Sequence, residues 1–457
     1  MTPSSDFALN HDSEVERWQC NVNGSIFPCA RETASAVRFL MTETFPLTRE
    51  TALERWRAFL PKVTRYGAQR NFVSTTHADV SRLSPAIRFG LITPEEIVRE
   101  TLAGHELRAV EKWVQEVCWR SYWKGWLEMR PQVWRSWRQR VHELRASLSN
   151  DVLVRAQEVS EGRSGVAVMD HFARELRETG YLHNHARMWW ASFWIHAEQL
   201  PWELGAEFFF QLLLDADPAS NTLSWRWVAG LQTAGKTYLV RRSNLERYCE
   251  ASLLEDTTGL ERLEDGRIKP VVLSDHADLT RQPMPEIPTT CPQLSGRIGI
   301  WIHADDLCLE NSPLAVLRPA SAAAFTSAET YAHYGLSERR IQSIHTALRD
   351  GLTRAGTHFD CVTSLSDTPS TADGITAWVE SEKLDAVIAM APNIGPVADA
   401  LPSIRRALIS MNVPLHLVRR PWDAQMFPAA KSGFFPFWEK TSRWLGQQFP
   451  PAQMTFL

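Results

Sequence analysis

The sequence predicts an α and α/β protein: an all-helical domain, then a doubly wound parallel α/β domain. Three observations carry this. Before residue 282 the apolar residues recur at helical spacing almost throughout. The stretch "QPMPEIPTTCPQLS", 282–295, holds four prolines and reads as a stiff, extended linker that cannot be helix. After it, short β-rich runs alternate with helical segments, the pattern of βαβ units. The plan is therefore an N-terminal extension over 1–30, a helical domain over 31–281, the linker over 282–295, and an α/β domain over 296–457.

The elements follow in order. "TRETALERWRAFL" is a helix with Thr48 as its cap, and "SPAIRFGLITPEEIVRETL" is a helix broken at Gly90 and restarted after Thr93, with Pro94 in its first turn. In "AVEKWVQEVCWRSYWKGWLEM" helical spacing puts Glu116, Trp119 and Arg120 close on one surface. "SRLS", 81–84, opens a helix beside Tyr66 and Arg70. Past the linker, "GRIGIWIH", "HFDCVTSL", "LDAVIAMAP" and "VPLHLVRR" read as strands. "SERRIQSIHTALRDGLTRAG" and "VADALPSIRRALISM" read as the helices between them, which gives a Rossmann-like sheet.

Composition narrows the class. The chain has 457 residues, 44% apolar and 22% charged, as a soluble multidomain globular protein does. "MTPSSDFALNHDSEV" lacks the basic start and apolar core of a secretory leader, and no apolar run is long enough to span a membrane. The seven cysteines (20, 29, 118, 249, 291, 308 and 361) are scattered without a C-x-x-C, so no metal site is expected and a cytoplasmic setting is the simpler assumption. A net charge of −4 argues against a general polyanion binder, and nucleic-acid contact would need a local patch. Arg135, Arg138 and Arg145 could share a helix face, which reads best as a solvated face.

The polar residues of the helical half are harder to explain by packing. "LLLDADPASNTLSWRWVAG", 212–230, ends an apolar run in Asp215 and Asp217, followed by Asn221, Trp225 and Trp227. Buried acids need partners. Arg187, in the aromatic helix after His183 and Asn184, needs an anion. His183 reads as a satisfied structural histidine. Hydroxyls and backbone N–H groups at "SRLS", beside Arg82, suit a phosphate.

In order and spacing, four motifs of this half resemble the FAD-binding domain of the DNA photolyase and cryptochrome family, from about "FPLTRETALERWRAFL" to about residue 240. They are Tyr66, Arg70 and V-S-R-L-S; W-x-x-E-x-x-W-R at Trp113, Glu116, Trp119 and Arg120; "TGYLHNHARM" with Asn184, Arg187 and Met188; and D-x-D-x-A-x-N-x-x-x-W-x-W at Asp215, Asp217, Asn221, Trp225 and Trp227. The sequence departs from the family pattern at Tyr181, His185, Leu223 and Ser224. "RIGIWIHADDLCLENSPL", 297–314, is similar to the element that begins the family's N-terminal α/β domain, and "RRPWDAQMFPAAKSGFFPFWEK" also looks like a family segment. The two domains thus stand in reversed order, as if circularly permuted.

The resemblance implies FAD as cofactor and leaves any antenna chromophore unknown. It implies that Tyr66 and Ser81, Arg82, Leu83 and Ser84 hold the pyrophosphate, and that Arg187 pairs with Asp215 beside the isoalloxazine. Asp217 would accept hydrogen bonds from the ring edge and Asn221 would face flavin N5, with Trp113, Arg120 and Asn184 completing the cofactor set. It implies blue-light repair of cyclobutane pyrimidine dimers in ultraviolet-damaged DNA by electron transfer from photoexcited reduced FAD. Glu116 would bond the pyrimidine edge, Trp119 and Trp227 would stack on the splayed bases, and Arg70 and Arg120 would take flanking phosphates. His185 and Met188 would also face the DNA. Trp225 and Trp202 match the inner two tryptophans of the family's electron relay, with Trp134 or Trp137 as candidates for the third. The alternative is a cryptochrome-like photoreceptor with the same FAD site, no repair activity and a signalling protein partner.

Overall fold

Thr48 and Thr93 start their helices by the same device. In the computed structural model, which describes residues 45–233 and 237–449, each threonine hydroxyl accepts from the third backbone N–H of its helix. Thr51 and Glu96 reach back to the cap N–H groups, Glu96 at 2.9 Å, so two orphan donors are satisfied reciprocally. The helices are Arg49–Phe59 and Pro94–Gly104. Between the Ser84–Arg88 helix and Pro94–Gly104 the chain turns at Gly90, whose φ of 63° is left-handed. The expected N-terminal extension, 1–30, and residues 31–44 lie outside the described residues.

The longest helix of this half, Leu107–Glu128, is the axis of the helical part. Around it pack Val63–Gln69, Pro94–Gly104, Pro131–Ser147 and Pro218–Val228. The last segment of the chain packs there too: Pro421–Met426 and Phe434–Gln448 lie against the same helix. Gly125 permits this close approach. A Cβ there would stand 2.6 Å from the Phe427 Cα.

Five strands form one parallel sheet in the order β3-β2-β1-β4-β5: β1 Ile298–Ile302, β2 Ser321–Thr326, β3 Val362–Asp367, β4 Ala386–Met390 and β5 Leu415–Val418. Ile300 pairs with Ala322 on one side and Ile388 on the other. The order reverses between β1 and β4, the switch point of a doubly wound sheet. The protein is mostly helical with this five-stranded sheet.

The sequence reading found every strand but β2. "SAAAFT" is alanine-rich and carries little strand propensity; it is a strand because β1 and β3 flank it and small side chains let helices close on it. Glu338–Phe359 and Thr371–Glu382 both pack against it, and Ala322, Ala323 and Ala324 are fully buried.

Candidate functional site

A cavity of about 930 Å³ opens between the Leu107–Glu128 helix, the Ser81–Ser84 turn, the Asn184–Ser192 and Pro218–Val228 helices, and Lys431–Pro436. Its size falls at the upper end of the roughly 300–1,000 Å³ of cofactor and ligand sites. Every residue expected to hold the cofactor lines it: Tyr66, Ser81, Arg82, Leu83, Ser84, Trp113, Arg120, Asn184, Arg187, Asp215, Asp217 and Asn221. So do Arg70, Glu116, Trp119, Met188, Trp225 and Trp227.

The two acids have distinct partners. Asp215 receives Arg187 through two bonds, Nη1 at 3.0 Å and Nη2 at 2.9 Å, while Arg187 Nε donates to the Leu182 carbonyl at 2.7 Å. Burial alone would raise the Asp215 carboxyl; Arg187, the Ser84 hydroxyl and Arg120 overcome it, and the net shift is downward. Asp217 is the N-cap of Pro218–Val228: its Oδ2 accepts from Ser220 N at 2.9 Å and Ser220 Oγ at 2.6 Å. Burial would raise this carboxyl too, but Lys124, Arg120 and Arg88 hold it below its usual range. Between them, the Ala216 carbonyl accepts from Arg340 Nη2 at 3.0 Å and Arg88 Nε at 3.4 Å. Arg340 comes from the Glu338–Phe359 helix of the sheet half, so both halves of the chain hold this loop.

The Ser81–Ser84 turn carries Arg82 at φ 56°, a left-handed conformation that a non-glycine residue adopts at a cost of about 1–2 kcal/mol. Its guanidinium lies over Phe45, 4.8 Å from the ring centre. The helix that follows has only five residues. Opposite, Tyr66 and Trp113 meet edge-on at 5.1 Å, and Trp113 Nε1 donates to Thr101 Oγ1 at 3.2 Å.

Elsewhere on the cavity wall, Arg70 is ion-paired to Glu116. Burial, the largest influence, raises the Glu116 carboxyl, and Arg70 opposes without overcoming it. Trp119 is half-buried and stacks on Phe434, with ring centroids 3.7 Å apart and planes 7° from parallel. Trp227 is also half-buried and packs on Tyr238 at 5.7 Å. Asn221 Nδ2 donates to the Ala206 carbonyl at 2.8 Å, which fixes its amide.

Several expected residues sit elsewhere or act differently. Arg120 was expected at a DNA phosphate as well as at the cofactor; it lies inside, 3.9 Å from Asp217, with its side chain 14% exposed. His185 does not line the cavity: it is buried on Trp189 at 4.1 Å, with its Nδ1 at the Asn71 carbonyl and Nε2 at Tyr238 Oη. Trp202 also lies off the cavity, with Arg226 over its ring at 6.0 Å. The ring partners of Trp225 among the described residues are Phe209 at 5.1 Å and Trp190 at 6.3 Å. Trp134 and Trp137 pack together at 5.1 Å, and Trp137 Nε1 donates to the carbonyl of Glu203, next to Trp202. On Pro131–Ser147, Arg135 and Arg145 are exposed, as expected of a solvated face, with Arg145 pairing to Glu207, while half-buried Arg138 lies over Tyr334.

Sequence reasoning missed Arg88, Arg340 and Phe434. The run "SGFFPFWEK" marks an aromatic segment, but no local pattern says that it returns to a helix some 300 residues earlier.

The residues present fit a polar, flat cofactor. Arg120 Nη1 and Trp225 Nε1 are buried at the cavity wall without a hydrogen-bond partner among the described residues. Such groups are costly unless a ligand answers them. Among the described residues no group of three or more His, Cys, Asp or Glu is placed to hold a metal ion. Among the described residues no helix is long and apolar enough to cross a membrane.

Comparison with known proteins agrees with this site. The family model for the FAD binding domain of DNA photolyase matches residues 113–251. The deoxyribodipyrimidine photo-lyase of Thermus thermophilus is 36% identical over 203 residues, 41% of this chain and 44% of that protein. That of Escherichia coli is 28% identical over 227 residues, 47% of this chain and 46% of that protein. The matches thus span less than half the length of these relatives. Among solved structures, a bacterial class III photolyase from Agrobacterium tumefaciens is similar with a TM-score of 0.38 and 25% identity, covering 44% of this chain and 42% of that one. With the twelve side chains expected at the cofactor lining one cavity and the matching family model over residues 113–251, FAD is the cofactor, and residues 113–251 match the FAD-binding domain of the DNA photolyase and cryptochrome family.

Proposed function

We propose that this chain is a photolyase-type lyase that repairs cyclobutane pyrimidine dimers in ultraviolet-damaged DNA under blue light. The observation that carries the reading is the company Glu116 keeps. It lines one cavity with Trp119, Trp227 and Met188, and the same cavity holds the Arg187–Asp215 clasp. Reduced FAD, when bound, supplies light absorption and one-electron chemistry.

The protein's own residues bind and orient. Drawing a dimer out of the duplex costs a few kcal/mol, less than for an intact pair. Trp119 and Trp227 each offer a half-exposed indole, and a base stacked on an aromatic ring contributes about 1–3 kcal/mol. Two such stacks offset the flip. Arg70 fixes the Glu116 carboxyl at the cavity wall, where it can accept from or donate to a pyrimidine edge. Half-buried Arg187 and buried Asp215 keep the far wall polar and rigid.

Irradiating the reduced protein with ultraviolet-damaged oligothymidylate tests this. Absorbance at the thymine band should recover with light and not in the dark; no recovery from protein carrying reduced FAD rejects repair. A second reading, a cryptochrome-like photoreceptor acting through a protein partner, is favoured by the net charge of −4. It predicts flavin colour without recovery in the same experiment. The helical domain preceding the α/β domain supports circular permutation as part of this reading. A chain rejoined in the opposite order that takes up no flavin counts against it.

A further inference from the structure

Phe435 is 73% exposed, an unusual state for a phenyl held on ordered backbone. Its surroundings fix it. Phe434, 5% exposed, stacks on Trp119, and Phe437 in the next turn is fully buried. Tyr122 Oη donates to the Ser432 carbonyl at 2.6 Å and Arg130 Nη2 to the Lys431 carbonyl at 3.0 Å. Gly433 then caps the Phe434–Gln448 helix. Phe435 therefore projects from a braced helix start. It lines the same cavity as Trp119, Glu116 and Trp227, with exposed Lys431 beside it.

The one ring contact of Phe435 among the described residues is edge-on with Phe434 at 5.9 Å, which leaves most of the phenyl uncovered. A duplex from which two bases have been drawn has an apolar gap in its stack, and apolar side chains inserted between base steps are a recurrent answer to such gaps. A phenyl stacks on any base. We propose that Phe435 is a wedge: it enters the gap that a dimer leaves when it moves into the cavity, and keeps the duplex open. The inference rests on the repair reading of this cavity. Lys431 supplies a cation for the adjoining phosphate.

The test uses the full chain with bound FAD, in the dark, and oligonucleotides carrying one thymine dimer as duplex or single strand. A single strand has no gap to fill. Phe435→Ala should weaken duplex binding about tenfold, the scale of one base–aromatic stack, and leave single-strand binding within about twofold. Phe435→Trp should restore duplex binding. A 2-aminopurine opposite the dimer should brighten with the native protein and not with Phe435→Ala. Because the side chain is exposed, flavin content and melting temperature should match the native protein. Equal loss on both substrates, or none on the duplex, overturns the wedge while leaving repair standing. A native protein that binds neither substrate overturns the repair reading, and the wedge with it.

Discussion

Arg187 and Asp215 face each other squarely, Nη1 to Oδ1 at 3.0 Å and Nη2 to Oδ2 at 2.9 Å, with Asp215 5% exposed. Removing one partner leaves a buried charge without its counter-ion, a loss of about 3–5 kcal/mol. Arg187→Ala should therefore melt at a lower temperature and purify without yellow colour. The double variant Arg187→Met with Asp215→Leu separates stability from binding, since an apolar pair in place of a buried ion pair is often neutral or better. It should regain much of the melting temperature and still lack flavin. Full flavin content in the double variant would remove the pair from the cofactor site.

On the repair reading proposed above, Glu116 is the carboxyl whose loss should silence turnover without bleaching the protein. Glu116→Gln keeps the shape and should keep the colour, with turnover falling by tenfold or more, as removal of a positioned acid–base or hydrogen-bonding group does. Its carboxyl is raised by burial more than Arg70 lowers it. A raised folded-state value means that the folded protein binds more protons than the unfolded chain just above the ordinary carboxyl range. Stability from this group is thus present at low pH and lost as pH rises through the raised value. Urea denaturation of both proteins across pH should show Glu116→Gln gaining on the native protein as pH rises through that window. Parallel curves would refute the assignment.

His183 titrates in the other sense. Its Nδ1 accepts from the His185 N–H at 3.1 Å and so caps the Asn184–Ser192 helix, which requires an unprotonated Nδ1. Burial, then His77 and His185, lower its value from 6.5 to about 3. Between those values the unfolded chain binds the extra proton, so stability falls as pH drops below about 6.5, by up to about 1.4 kcal/mol per pH unit. Replacing His183 by Asn, itself a good cap residue, should flatten the acid side of the stability curve. A curve as steep as the native one would show that the proton binds elsewhere.

What the sequence showed and what it hid divide along physical lines. Local rules reach as far as local interactions: Thr48 and Thr93 are caps, the proline stretch at 282–295 has no helix, and four strands announce themselves by β-branched runs. Motif spacing reaches further, because Trp113 to Arg120 on one helix, and Asp215 to Trp227 on a second helix and the loop before it, are fixed patterns that line one cavity. Beyond that, pairing is set by tertiary packing. Asp217 caps its own helix as well as facing the cavity. His185, expected at DNA, packs on Trp189 because its two nitrogens find partners inside. Strand β2 is alanine because helices press on it, which no propensity scale anticipates.

Gly125→Ala sets two such levels against each other. By helix propensity alone, alanine in the interior of Leu107–Glu128 should stabilise the protein by about 0.5–1 kcal/mol. Packing says the reverse. The new methyl would lie 2.6 Å from the Phe427 Cα and 2.9 Å from its carbonyl oxygen, and backbone cannot rotate away as a side-chain end can. Forced insertion into a packed interior costs about 1–3 kcal/mol, so the net effect should be a loss. The strain falls on the segment that leads to Lys431, Ser432 and Phe434, and so on the stack behind Trp119. The Arg187–Asp215 clasp belongs to other elements and should be spared, leaving the flavin bound. Amide hydrogen exchange should therefore speed up across 427–438 and stay native across 215–228. A stabilised Gly125→Ala protein, or one that loosens at 215–228 first, would show that the C-terminal segment does not brace this wall of the cavity.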